Sequence, residues 1–246
     1  MNDLLKQVLE SHGGLDQWSQ VNHLTAQLSL GGPFWGWKGW PDVYADQTVN
    51  LDPRRESITF EPFTGSGRVS SLEVSTGSPE RVEIREGDGR LVDGRNNPRG
   101  TFPAYENETP WDAVQVAYFT IAATWNYLTA PFVFAHPKVT TQEIAPWTED
   151  GQTWRRLAVT FPDAIANHNP GQIFYYDETF RQRRMDYQPD VTGSPIAHYT
   201  HNPKKFDGFL FYTLRLVHLR DEGNVANQEF APITIDLESV SITRDR

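Results

Sequence analysis

Apolar residues first recur at helical spacing. Leu4, Leu5, Val8 and Leu9 fall on one side of a helix of about 3.6 residues per turn. Asn2 or Asp3 can cap its first turn, and Gly13-Gly14 offers the left-handed conformation that ends helices. "LDQWSQV", residues 15–21, adds a short second turn that brings Trp18 and Val21 back onto the first helix. At Val21 the period changes to two, and Leu24, Ala26, Leu28 and Leu30 share one face of a strand. Further runs at 43–51, 56–62, 68–75, 80–86 and 90–93 are separated by "DPRRE", "TGSGR", "TGSPE" and "EGDGR", residue types that build turns. Strands joined in this way make an antiparallel meander.

Residues 96–110, "NNPRGTFPAYENETP", interrupt the alternation and lead into a central helix over about 110–129. Thr109, Pro110, Trp111 and Asp112 read as its N-cap and first three positions. Trp111, Val114, Tyr118, Ile121, Trp125 and Leu128 then recur at steps of three and four. Val116, Phe119 and Ala123 widen the stripe, so the helix has to be covered on most sides. Pro131 ends it.

Period two returns in stretches at 139–146, 153–161, 172–177, 181–188, 195–201, 209–220 and 233–243, with Asp150-Gly151 a hairpin signal. Within 209–220, Leu210, Tyr212, Leu214, Leu216 and His218 share one face, and Thr213 and Arg215 belong to the other. No linker or internal repeat divides residues 1–246, so the pattern predicts a single domain. It is mainly β, of the α+β kind, with about 11–13 strands. So many antiparallel strands curl under their own twist, and the central helix covers the concave face.

"LLKQVLESHGGLDQWSQVNHLTAQLSL", "IFYYDETFRQRRMDYQPDV" and "KKFDGFLFYTLRLVHL" resemble corresponding segments of the LolA/LolB-like lipoprotein-carrier superfamily. Helix, meander, central helix and second meander match that family in order along nearly the whole chain. The resemblance implies an incomplete, strongly curved antiparallel β-barrel lidded by helices, whose apolar cavity holds acyl chains or similar molecules. The chain departs from the lipoprotein carriers in lacking a secretory leader and a lipobox cysteine.

The segment "GGPFWGWKGWPD", residues 31–42, concentrates aromatic side chains. Read as a regular strand, it puts Trp35 and Trp37 on one face and Phe34 and Trp40 on the other, with Gly36 and Gly39 able to bend it. These indoles divide between the core and the mouth of the barrel, where each supplies a large apolar surface and one N–H donor. Trp35, Trp37, Trp40, Tyr118, Trp125 and Tyr212 are the candidate ligand-binding residues.

Charge and composition narrow the partners. A net charge of -10 speaks against nucleic acid and anionic membrane surfaces, which require clustered Lys and Arg. The densest basic run, Arg181-Gln182-Arg183-Arg184, reads as a charged outer strand face or a guarded strand edge. No segment approaches the roughly 18 apolar residues of a membrane span, so stable membrane insertion is not expected. The N-terminus lacks the basic and apolar regions of a signal peptide. The chain as it stands reads as cytoplasmic, or as periplasmic or secreted where a leader has been removed. The absence of cysteine excludes disulfides, thiolate catalysis and Cys-ligated zinc. No cofactor or metal is expected, and the sequence sets no oligomeric state.

The expected function is to bind or carry a hydrophobic small molecule, lipid-like or resembling an isoprenoid or polyketide. The alternative is an enzyme acting on an apolar substrate in the same cavity, with His198 or His218 as general base and an acid such as Asp186, or an arginine, as its partner. His198 and His201 are three apart in a strand and point to opposite faces. Ser194 precedes a proline and lacks the elbow of a hydrolase nucleophile.

Overall fold

In the computed structural model, the Asn2 side-chain oxygen accepts the Leu5 N–H at 2.8 Å and starts α1 (Asp3–Ser11). That contact satisfies one of the donors that a helix start leaves free. The structure describes residues 1–64, 67–73 and 80–245. Leu4, Leu5, Val8 and Leu9 are all buried, as their spacing predicts. Gly13, at φ +127°, turns the chain where a Cβ would come within 2.6 Å of the Phe209 ring. The tight turn leads into α2 (Leu15–Trp18), whose Trp18 ring stacks on Phe132 at 4.3 Å and meets Phe209 edge-on at 5.1 Å.

Strand β1 (Val21–Gly31) follows, then a helical turn α3 (Phe34–Trp37). The first meander is completed by β2 (Gln47–Asp52), β3 (Ser57–Glu61), β4 (Arg68–Glu73), β5 (Arg81–Glu86) and β6 (Leu91–Asn96). Of the expected turns and strand ends, residues 65–66 and 74–79 lie outside the described residues. The chain then passes through α4 (Ala113–Thr129) into β7 (Thr140–Glu149), β8 (Gln152–Thr160) and β9 (Gly171–Tyr176). It ends through β10 (Gln182–Tyr187), β11 (Ile196–Phe206), β12 (Phe209–Leu219) and β13 (Ile233–Arg244).

All thirteen strands form one antiparallel sheet in the order β6-β5-β4-β3-β2-β1-β13-β12-β11-β10-β9-β8-β7. The first and last strands meet in its middle, with Leu24 opposite Ile242 and Ala26 opposite Val240. Each meander then runs outward to an edge, and β6 and β7 are those two edges. The sheet is therefore not closed; it is an incomplete, curved barrel. To pass from one edge to the other the chain must cross the sheet, and α4 makes that crossing on the core side, where fifteen of its seventeen residues are buried.

Two local readings of the sequence change. The N-cap of α4 is Asp112, whose carboxylate accepts the Gln115 N–H at 2.8 Å while the Gln115 side chain accepts the Asp112 N–H at 2.9 Å. Thr109 is not the cap. The reason is long-range: Lys38 Nζ donates to the carbonyls of Glu106 and Asn107 at 2.9 and 2.7 Å, and Trp40 Nε1 donates to that of Trp111 at 2.7 Å. Those contacts hold residues 106–111 in a non-helical path. The second change is α3, which replaces the regular strand expected through Trp35 and Trp37.

Candidate functional site

The site begins where β1 ends. Gly32 has φ +97°, and a Cβ on it would lie 2.2 Å from the Pro232 carbonyl oxygen. Only glycine passes this close to that neighbour. The Pro232 carbonyl accepts the Phe34 N–H at 3.1 Å, and the chain enters α3 instead of extending. The turn separates the two tryptophans that a strand would have put together. Trp35 is 2% exposed, meets Tyr44 edge-on at 5.0 Å and donates its indole N–H to the Gly31 carbonyl at 3.1 Å. Trp37 is half-buried, with its ring 6.0 Å from that of Phe230.

Beside α3 lies a cavity of about 160 Å³. Phe34, Trp35 and Trp37 form one wall, and Phe119, Ala123 and Tyr127 of α4 form another. Ile196, Val217, Ile233 and Ile235 supply the sheet side. Leu219 and Phe230, both exposed, also line it. Apolar walls with a few polar groups suit a hydrophobic ligand.

The polar groups are held by one another. The Tyr127 and Tyr187 hydroxyls are 3.0 Å apart, and Tyr187 lies 3.4 Å from His198 Nδ1. His168 stacks on Tyr187 with ring centres 5.4 Å apart and packs on Phe119 at 4.4 Å. Burial pushes its pKa down to about 3, and the Arg99 guanidinium acts in the same direction. His198 is fully buried, and burial, followed by Arg215, holds its pKa well below the ordinary value. Neutral imidazoles are compatible with an apolar chamber in a way that imidazolium ions are not.

The other candidates lie elsewhere. Trp40 packs against Phe63 at 6.5 Å, while Trp125 donates its indole N–H to the Asp52 carbonyl at 3.0 Å. Tyr118 donates to Glu80 at 2.8 Å and accepts from Arg99 at 3.0 Å. These three tie α4 and its approach to the first meander. Tyr212 borders a smaller void and joins His12 Nε2, 3.1 Å away, to the Gln182 N–H, which it accepts at 2.5 Å.

Asp186 is opposite Ala197, whereas His198 is opposite Met185. Neighbours along a strand point to opposite faces, so Asp186 and His198 are on different sides of the sheet. On the convex side, Arg184 binds Asp186 and Glu149, each at 2.6 Å. Tyr175 donates to Asp186 at 2.5 Å and Tyr199 to Glu149 at 2.6 Å. His218 belongs to this side as well, opposite Ala197 with its ring 5.6 Å from Tyr199, and its Nδ1 is 2.9 Å from the Phe230 carbonyl. Among the described residues no three His, Asp or Glu side chains are placed to hold a metal ion, and no helix is long and apolar enough to cross a membrane.

No protein-family model matches the sequence, and no curated protein matches it. Solved structures do. A domain from Vibrio parahaemolyticus, assigned to outer membrane lipoprotein sorting, has a TM-score of 0.55 at 9% identity, covering 98% of this chain and 91% of its own. A DUF1329 family protein from Desulfovibrio piger has a TM-score of 0.51 at 11% identity, with 97% and 91% covered. A LolA superfamily protein from Nitrosomonas europaea has a TM-score of 0.51 at 10% identity, with 99% and 93% covered. These likenesses show the fold: the chain has the LolA-like architecture that its sequence resembles.

Phe119, Tyr127, His168, Tyr187 and Phe230 complete the chamber, and only Phe119 carries a sequence signal, as a widening of the α4 stripe. The others reach the cavity through contacts between distant segments that no local period records.

Proposed function

We propose that the protein binds and carries a hydrophobic small molecule in the cavity between α3, α4 and the sheet. The observation that carries this reading is an aromatic chamber of about 160 Å³ between α3, α4 and the sheet. Its size bounds the ligand. Such a volume holds about one benzene-sized group, and sites for larger ligands run to roughly 300–1,000 Å³. The ligand in this closed form is a ring or a short chain. A longer one extends past Phe230 and Leu219 toward solvent. The fold shared with a domain assigned to lipoprotein sorting supports a carrier.

The enzyme reading has less behind it. Its base His198 lies on the opposite face from Asp186, and His218, on the face of Asp186, lies across the sheet from the cavity, so neither pairing gathers at one apolar chamber.

Titration with the neutral fluorophore N-phenyl-1-naphthylamine tests the carrier. We expect saturable uptake of one molecule per chain, displaced by medium-chain fatty acids or alcohols. A protein that leaves the probe dark, and shows no added mass in native mass spectrometry, would sink the reading.

A further inference from the structure

A second void of about 20 Å³ continues the main cavity. Thr124, Tyr127 and Ile235 line both. On β1 and β12 the wall moves by one same-face step between them, from Leu30 to Leu28 and from Val217 to Arg215. On β13, which lies between those strands, it extends from Ile235 to Leu237. Two residues of strand rise about 6–7 Å, so the two voids are neighbours along the strands beneath α4.

Arg215 stands at the inner end. It is 7% exposed; its Nη2 donates to the Tyr127 carbonyl at 3.2 Å, and Nη1 has no partner among the described residues. The guanidinium lies 5.1 Å from the Tyr127 ring centre and 5.8 Å from that of Tyr212. Among the described residues no carboxylate forms an ion pair with it. Arg184, on the opposite face and fully buried, has two carboxylates at 2.6 Å. Where this fold buries a guanidinium for structure, it supplies the counter-ions. A buried charge held only by a carbonyl and two rings is costly, and a buried donor without a protein partner needs its hydrogen bond supplied from elsewhere, by water or by a ligand.

We propose that Arg215 anchors the carboxylate of an otherwise apolar ligand, with the carboxylate in the small void and the hydrocarbon in the main cavity. The proposal rests on the carrier reading above. A void of about 20 Å³ admits about one water-sized group, which suits a carboxylate oxygen entering from the main cavity better than the bulkier phosphate. A guanidinium holds that group through charge-assisted hydrogen bonds. The substrate class is therefore a single-chain or single-ring carboxylic acid, not a diacyl phospholipid.

The test is calorimetric titration of the full chain with decanoate and with decanol, which share a chain length and differ in charge, alongside N-phenyl-1-naphthylamine. Wild-type protein should bind decanoate about ten- to a hundredfold more tightly than decanol. In Arg215→Met that preference should vanish while uptake of the neutral probe persists. Equal binding of decanoate and decanol by the wild type overturns the anchor and leaves the carrier reading standing. So does a decanoate preference that survives in Arg215→Met. Uptake of none of the three by the wild type overturns both. The wild-type comparison decides by itself if the variant does not fold.

Discussion

The hydroxyls of Tyr127 on α4 and Tyr187 on β10 lie 3.0 Å apart, a hydrogen bond that joins the helix to the second meander at the cavity wall. Tyr187→Phe leaves the half-buried Tyr127 hydroxyl without this partner and should cost about 1 kcal/mol. Tyr127→Phe should cost less, because Tyr187 keeps its contact with His198. The double variant should cost less than the sum of the two, since both ends of the bond are gone. Urea unfolding of the four proteins measures the coupling; strict additivity would contradict the bond.

The two tryptophans of α3 should respond differently. Trp35→Leu removes a buried ring that packs on Tyr44 and loses the hydrogen bond to the Gly31 carbonyl, at a cost of about 2–4 kcal/mol. Trp37→Leu removes a half-buried ring and should cost under about 1 kcal/mol, yet weaken uptake of the neutral probe. Melting curves and probe titrations on both variants check the division. Equal loss of stability would assign both rings to the core.

On the convex face, Asp186→Asn strips Arg184 of one of its two carboxylates. Breaking a buried pair is strongly destabilising; with Glu149 still in place we expect about 3 kcal/mol. Ligand uptake by the folded variant should be unchanged, because the network lies across the sheet from the cavity. Loss of binding with retained stability would reverse that assignment.

Stability should also fall in acid through the buried histidines. His12 is held between the Val8 carbonyl and the Tyr212 hydroxyl, and burial lowers its pKa from 6.5 to about 4. Above the higher value both folded and unfolded forms are neutral and the group contributes nothing to pH dependence. Between the two values only the unfolded chain takes up the proton, so stability is lost as pH falls, by up to about 1.4 kcal/mol per pH unit. Glu56, which burial holds well above the ordinary carboxyl value, tilts the curve the other way. The comparison is therefore between wild type and His12→Gln, where Glu56 is common to both. The variant should show the shallower acid loss, and parallel curves would refute the assignment.

Much of the architecture was legible because its cause is local. The change of period at Val21, the stripe on α4 and the turn residues between runs each reflect one segment burying one face. The start of α4 was not, because the choice between Thr109 and Asp112 is made by Lys38 and Trp40, about seventy residues away. Helical α3 was hidden for a similar reason, since the contact of Gly32 with Pro232 brings together the two ends of the sequence. On β12 the alternation correctly separates Arg215 from His218 but does not say which face is inward. Both sides of that strand are covered there, one by the cavity wall and the other by the segment ending at Phe230. The inward position of Arg215 consequently emerges only when the sheet is assembled.

The open sheet has one more consequence. A closed barrel has a girth fixed by its ladder of hydrogen bonds, and a wider bore requires breaking some of them. Here β6 and β7 are unjoined, so the sheet can uncurl with every inter-strand bond intact, and the resistance comes from side chains packed against α4. The girth of the chamber is then set by the helix packed along β3, β4, β5 and β6, and not by a closed ladder of strands.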